Sequence, residues 1–477
     1  MPPRLTRRAL LAAGAGSAAG TAWPASAAPQ RSDVLVLGAG ISGLHAARLL
    51  QQAGLSVSVL EGSARVGGRC WTARSVAGRP ELGAGSVGAG YGRVRGSAAE
   101  LGIELVAPPP GSREIVGSAT AAYSVYGQPV SPRPWSSSPL NRLAAAEQSM
   151  SPSQLVAQFL SRDVGLRELG DWLKPEFAWL DRLSLRAYFT SLGASAEALR
   201  LMDVHCPGTN LDEANALHFV RRTHYYAWET RAGRSHRVKG GTSALTDAMA
   251  ASLKAPVRLN SFVRHIDAQD QRVAVQCSDG SRHEARACIT TIPFAVYKDI
   301  RIDGAVPARQ RQAWNATRHT AVVQVFMSIR QAFWKADGVT AEMWTDSPME
   351  RVFHLPSDTE PNGILCAYFS GDGALALKGM DTQAIAQHTL RLLERLRPST
   401  AGQLAVTYVH DWSAQPGARG HVASWAPGDI GRYESALQQP VGSLHFAGDH
   451  LGRLHVGLEA ACESAERAAM QVLDRIA

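Results

Sequence analysis

The sequence predicts the α/β class, organised as two interleaved domains. A strand of the fully buried kind, Val34-Leu-Val-Leu, runs straight into a glycine triplet and then a helical pattern. Apolar runs of strand length recur through the middle and last thirds of the chain. Its 477 residues also exceed one core of roughly 100–200 residues.

The chain opens on Thr6-Arg7-Arg8-Ala9-Leu10-Leu11, then a weakly apolar Ala/Gly/Ser stretch, then Ala25-Ser26-Ala27. A basic start, an apolar middle and a small-residue cleavage site predict a signal peptide over Met1–Ala27. The adjacent arginines favour the twin-arginine type, which carries folded proteins. The expectation is an exported bacterial protein, periplasmic or secreted. After residue 30 no run of ~18 apolar residues offers a membrane span.

The formal charge of +8 does not indicate nucleic acid. Three of those charges are Arg4, Arg7 and Arg8, only six of the 49 basic residues are Lys, and no run of four occurs. With 45% hydrophobic and 19% charged residues the chain is globular rather than disordered. Six cysteines without a C-x-x-C pair suggest neither a zinc site nor a disulfide framework. The histidines at 205, 218, 224 and 236 lack ligand spacing, so no metal is expected.

Gly38-x-Gly40-Ile41-Ser42-Gly43 follows the first strand, and the helix continues over Leu44–Ala53. Gly38 permits the tight turn, Gly40 lets the backbone approach a pyrophosphate, and Gly43 lets helix and strand pack closely. The helix N-terminus then faces the phosphates. A second strand, Ser56–Leu60, ends at Glu61, placed to accept bonds from ribose hydroxyls, with Gly62 beside it. Strand, triplet, helix, strand and acid in this order predict a Rossmann-like dinucleotide site. Arg65-Val-Gly67-Gly68-Arg69 follows: a second glycine pair brings more backbone close, and two Arg can meet phosphate or ribityl oxygens.

The E-x-x-x-R-x-G-G-R run after such a fold resembles the signature of the flavin-containing amine oxidoreductases, the group of monoamine, polyamine and L-amino acid oxidases. The resemblance extends from residue 33 to the end. It implies FAD as cofactor, and a Rossmann-like FAD-binding domain interleaved with an α+β substrate domain made of a sheet plus a helical insert. Glu81-Leu-Gly83-Ala84-Gly85-Ser86 is similar to the segment beside the isoalloxazine, and Ala99–Gly102 closes the next helix. Lys239-Gly-Gly-Thr242 resembles a second glycine turn opening a helix. Val257–Ile266 resembles the strand whose valine, here Val263, meets adenine, and Cys288–Pro293 the strand returning beneath the cofactor. Trp412 matches a tryptophan at the exit of the substrate domain. Phe446-Ala-Gly448-Asp449, with Gly457-Leu458 opening the final helix to Ile476, resembles the last motif, which implies a carboxylate at the ribityl or phosphate region.

Some positions depart from the family pattern. Counting back from Phe333-Trp334 puts Gln324 where the oxidases carry a water-holding lysine. Gln can hold a water but supplies no charge, so Gln324 is the one catalytic candidate and rapid oxygen reaction is not implied. The paired aromatics that sandwich an amine fall at Val422 and near Gly457, with Trp425, His455 or Tyr91 as nearby substitutes. His421 stands where flavinylated relatives have Cys, and a non-covalent flavin is the default expectation. Gly85-Ser86 replaces the Met-Arg pair that clamps a carboxylate in amino acid oxidases, whereas Ala447–Leu451 is similar to some bacterial members of that branch.

The expected FAD-binding domain comprises residues 31–110, 236–300 and 411–477, and the substrate domain 111–235 and 301–410. Residues 107–140, rich in Gly, Pro and Ser, read as a loop. Residues 150–230 read as mostly helical, with aromatics such as Trp172 and Tyr226 in the core or the pocket. Strands over Ala321–Ile329, Ile364–Phe369 and Leu404–Val409 predict the second sheet.

The function implied is oxidation of a small-molecule amine or amino-acid-like substrate. Hydride passes from the amine-bearing carbon to FAD, and oxygen or a periplasmic electron carrier is the acceptor. The alternatives are an L-amino acid oxidase, oxidation of a non-amine metabolite, and a flavin-binding subunit without independent turnover. Homodimer formation stays open.

Overall fold

Val34-Leu-Val-Leu becomes the middle of a parallel sheet because it is apolar on both faces and both faces are covered. The computed structural model describes residues 29–108, 121–206 and 208–476; the expected signal peptide lies outside them. Strand β1 (Gln30–Leu37) leads to helix α1 (Ile41–Gln52) and β2 (Val57–Leu60), which pairs parallel with β1. Helix α2 (Gly92–Glu100) and strand β3 (Ala122–Ser124) follow. Next come the long helix α3 (Ala216–Ala232) of the helical insert and α4 (Thr242–Ala251), opened by the Gly240-Gly241 turn.

A seven-stranded sheet collects β1 and β2 together with β4 (Val263–Ala268), β5 (Val273–Cys277), β6 (Arg282–Thr290) and β7 (Arg301–Asp303). Its order is β2-β1-β6-β5-β4-β7, and a seventh strand from the last part of the chain, Leu444–Phe446, runs parallel to the end of β6. β6 returns beside β1 in parallel, from Gln30↔His283 to Leu37↔Thr290, as expected for the segment ending at Pro293. β7 extends this sheet just past position 300, where the second domain was expected to begin.

The second sheet holds β8 (Val322–Ile329), β9 (Met343–Thr345), β10 (Arg351–Leu355), β11 (Ile364–Ser370) and β12 (Leu404–Asp411), in the order β12-β8-β11-β10-β9-β3. Its pairs are antiparallel except β9 with β3. The strand Ala122–Ser124 corrects the reading of 107–140 as loop: three residues have no measurable alternation, and only an available sheet edge makes them a strand. The strand expected from Val257 begins instead at Val263, the preceding residues forming a turn bridged to Leu60 through Arg258. Side chains alternate across β8: Val323, Val325 and Met327 enter a core with Ile385, Leu392 and Leu393, and Gln324 and Phe326 face the other way.

Leu444–Phe446, labelled β13, is followed by helix α5 (Gly457–Ile476). Its alanines 461, 465, 468 and 469 pack with α1 in one core, small side chains allowing close approach. All six cysteines are buried and unpaired, in keeping with their lack of disulfide spacing.

Gly43 lies inside α1, where Ala would ordinarily stabilise the helix. Here an added Cβ would overlap the Gly38 carbonyl oxygen and stand 3.2 Å from Thr291 Oγ1. Gly43→Ala is therefore expected to destabilise the protein by about 1–3 kcal/mol, the usual cost of overpacking. Urea denaturation measures this, and a stabilised variant would contradict the packing argument.

Candidate active site

A cavity of about 1870 Å³ opens between the two sheets. It is larger than the roughly 300–1,000 Å³ of a single small-molecule pocket, leaving room for an extended cofactor and a second molecule. Every site residue singled out from the sequence lines it except Gly43. Gly43 is held away because its α-carbon faces the Gly38 carbonyl; its contribution is the close packing of helix on strand, not contact with a ligand.

The two glycine turns meet backbone to backbone. Gly40 pairs with Gly67 in an isolated bridge, and a Cβ on Gly68 would stand 3.2 Å from the Gly40 α-carbon. Gly40 provides no side-chain cap for α1, whose first turn holds no acid, and the buried Ser42 Oγ has no partner among the described residues. This uncapped N-terminus faces the cavity and suits an anionic group. Glu61 accepts from the Ala39 N–H at 2.7 Å and from Ser63 N–H and Oγ at 2.9 and 2.7 Å, so the turn itself fixes the carboxylate.

Arg65 donates to the Val66 and Gly68 carbonyls at 3.0 and 2.7 Å and lies 3.6 Å over the Trp71 ring. Burial lowers its pKa to about 10, which still leaves it charged at neutral pH. Arg69 donates to the His421 carbonyl at 2.6 Å and pairs with Asp449. Burial by itself would raise the Asp449 pKa, but Arg69 and then His450 outweigh it and hold the carboxyl below the ordinary range. Ser464 Oγ fastens Gly448 by accepting from its N–H at 2.9 Å and donating to its carbonyl at 2.8 Å.

The segment Glu81–Ser86 is held at both ends. Glu81 accepts from Thr242 N–H and Oγ1 at 2.8 and 2.7 Å and from Thr72 Oγ1 at 2.9 Å, tying it to the start of α4. Trp412 lies beneath, fully buried, its Nε1–H donating to the Leu82 carbonyl at 2.8 Å. Gly83, Ala84, Gly85 and Ser86 face the cavity above it, and Val263 and Gly62 reach it from the other end.

The second sheet contributes a largely apolar wall of Phe326, Phe353, Ile364 and Tyr368, into which Gln324 brings an amide. The Gln324 side chain is buried and its Oε1 has no partner among the described residues. Val422 and Gly457 line the cavity without supplying a ring. A Cβ on Gly457 would stand 3.2 Å from Tyr91 Oη, so Tyr91 brings an aromatic group to that place from another segment. His421 also lines the cavity; burial and then Arg69 lower its pKa to about 4, leaving the ring neutral at ordinary pH. Trp425 and His455 face the same space, His455 being held by Glu463 at 3.0 Å.

Sequence reasoning named Trp172 and Tyr226 for the core or the pocket, and both line the cavity, but it passed over His218 and Arg222 as part of the wall. His218, Arg222 and Tyr226 stand four residues apart on α3 and all line the cavity. That spacing was the available signal, but a helical stripe of mixed polar and aromatic residues reads equally well as a solvated face. Trp172 is buried on the same wall, with its Nε1–H donating to the Arg453 carbonyl at 2.8 Å and Arg221 stacked 4.2 Å over its ring.

A family model described as flavin-containing amine oxidoreductase matches residues 41–473. The chain is 26% identical to an L-amino-acid oxidase of Siganus canaliculatus over 460 residues, covering 92% of this chain and 85% of that one. It is also 26% identical to the flavin-containing amine oxidase B of Mus musculus over 462 residues, covering 94% and 87%. A solved structure of putrescine oxidase bound to putrescine superposes with a TM-score of 0.75 at 25% identity, covering 94% of this chain and all of that chain.

The Asp449 carboxyl, lowered from 3.8, contributes stability that is fully present above pH 3.8 and is lost as pH falls below it. The advantage of the unmodified protein over Asp449→Asn in urea midpoint is expected to shrink below pH 3.8. An advantage constant across that range would contradict the pairing with Arg69.

Proposed function

The chain belongs to the flavin-containing amine oxidoreductase family and is an FAD-dependent enzyme; from that premise we propose how its own residues divide the work of oxidising an amine. When bound, FAD accepts a hydride equivalent from the amine-bearing carbon, leaving an imine that water hydrolyses. Gly38, Gly40, Ile41 and Ser42 present the N-terminus of α1 to the pyrophosphate. Glu61 accepts from ribose hydroxyls, and Arg65 and Arg69 lie beside the phosphate and ribityl oxygens. Gly83–Ser86 and Gly457-Leu458 border the ring system, with Asp449 at the ribityl region. The observation that carries this reading is the convergence of both glycine turns, Glu61 and Asp449 on the cavity that Gln324 faces from the second sheet.

The apolar wall of Phe326, Phe353, Ile364 and Tyr368 desolvates the substrate and lowers its amine pKa, favouring the neutral form that gives up hydride. No general base is required. Gln324 holds a water or an edge of the ring through its free Oε1. As it brings no positive charge, oxygen takes electrons slowly and a periplasmic electron carrier is the better acceptor.

Anaerobic mixing with a panel of amines and amino acids is expected to bleach the flavin absorbance; no bleaching by any member would sink the amine reading. After oxygen is readmitted the colour is expected to return slowly, and Gln324→Lys to speed its return by about tenfold or more, the effect of about 1.4 kcal/mol of added electrostatic stabilisation. Rapid recovery in the unmodified enzyme would remove the case for a carrier.

We place the enzyme outside the cytoplasm on the strength of Arg7-Arg8 and Ala25-Ser26-Ala27. Fractionation of expressing cells is expected to find the processed chain in the periplasm or medium, and Arg7→Lys with Arg8→Lys to retain it inside. Export unaffected by the double substitution would exclude the twin-arginine route.

A further inference from the structure

α3 carries an arginine into the cavity without an ionic partner. Arg222 lines the wall, one helical turn after His218 and one before Tyr226, with its guanidinium 5.7 Å from the Phe219 ring. Among the described residues it makes no ion pair and no hydrogen bond, whereas most charged groups around it are engaged. Arg69 is paired with Asp449, and Arg221 donates to the carbonyls of Gly452 and His455 at 2.9 and 2.8 Å. Glu229 accepts from Gly90 N–H at 3.2 Å and Tyr225 Oη at 3.0 Å, and Glu434 is bound by Arg453.

His218 supplies the second observation. Its side chain is only 7% exposed, lines the same cavity, and neither ring nitrogen has a partner among the described residues. Burial, followed by Arg222 and Arg221, keeps the ring neutral, so it has one N–H to donate. His421, Tyr91, Tyr368 and Gln324 line the same cavity as Arg222 and His218. A guanidinium and a neutral imidazole N–H side by side, both unfilled, match a carboxylate: one charge and several donors against two acceptor oxygens. Neither matches a second ammonium.

We propose that Arg222 and His218 form a carboxylate subsite, so that the substrate is an amine that also carries a carboxylate, and that diamines are disfavoured. This rests on the amine-oxidation reading above. The same charge has a second effect: a cation near the substrate amine lowers that amine's pKa and enlarges the neutral fraction.

The test pairs each L-amino acid or ω-amino acid of a panel with its decarboxylated amine, followed by anaerobic bleaching of the holoenzyme. Carboxylate-bearing members are expected to be the better substrates. Arg222→Gln is expected to lower their kcat/KM by about 10²- to 10³-fold while raising that of the decarboxylated partners, with Arg222→Lys intermediate. A merely structural role would lower both members of each pair together, and that result would overturn the proposal, as would a preference for decarboxylated amines in the unmodified enzyme. Binding of benzoate and benzamide, read by calorimetry on the holoenzymes, needs no turnover. Benzoate is expected to weaken with Arg222→Gln and with His218→Phe while benzamide does not; equal binding of benzoate by all three proteins overturns the subsite. If nothing bleaches the flavin, the amine reading fails and the benzoate result alone decides the subsite. Flavin-to-protein absorbance ratios show that each variant is folded and loaded.

Discussion

The Arg69 guanidinium, shared between the Asp449 carboxylate and the His421 carbonyl, is the contact on which the cavity's shape depends. Arg69 follows the second glycine turn, His421 follows the second sheet, and Asp449 precedes the final helix. One planar cation with several fixed donors brings these three segments to a single place. Lysine would supply the charge but not the fork that reaches two acceptors at once. The isolated bridge from Gly40 to Gly67 then carries the same constraint back to the start of α1.

Around that contact, buried carboxylates organise the helix ends that meet the cavity's rim. Glu81 accepts from the first turn of α4, and the fully buried Glu459 accepts from Arg93 and Val94 N–H at the start of α2 at 3.0 and 3.2 Å. Each satisfies N–H groups that a helix leaves without partners. Helix α1 is the contrast: Gly40 caps nothing, no acid occupies its first turn, and its end points into the cavity. Of these three helices, α2 and α4 are capped by carboxylates of the protein, and α1 is left for an anion.

The first glycine motif, the acid at 61, the second glycine pair and the last motif were legible in the sequence because each is local. A strand, a tight turn and a helix within some thirty residues leave a pattern in residue order, and glycine suits the positive φ and close approach at positions such as 38 and 68. The family resemblance followed from the order of such motifs, and the match over residues 41–473 agrees with it. The segment Ala122–Ser124 was not legible, since three residues become a strand only when a sheet edge is offered. The substrate wall was hidden for a related reason. Tyr226 reads as core or pocket, but His218 and Arg222 on the same helix carry no mark of whether the face they share meets solvent, core or cavity.

By itself, then, the sequence determined the α/β class, the family, the cofactor and the glycine turns and carboxylates that border one end of the cavity, because backbone approach to a dinucleotide demands particular residues at particular spacings. Tertiary structure alone decided that Gly43 serves packing, that Tyr91 fills the space beside Gly457, and that Arg222 faces inward with no carboxylate to meet it. Those outcomes depend on distances between segments far apart in the chain. Such distances are set by how two sheets and a helical insert pack together, and no local run of residues records them.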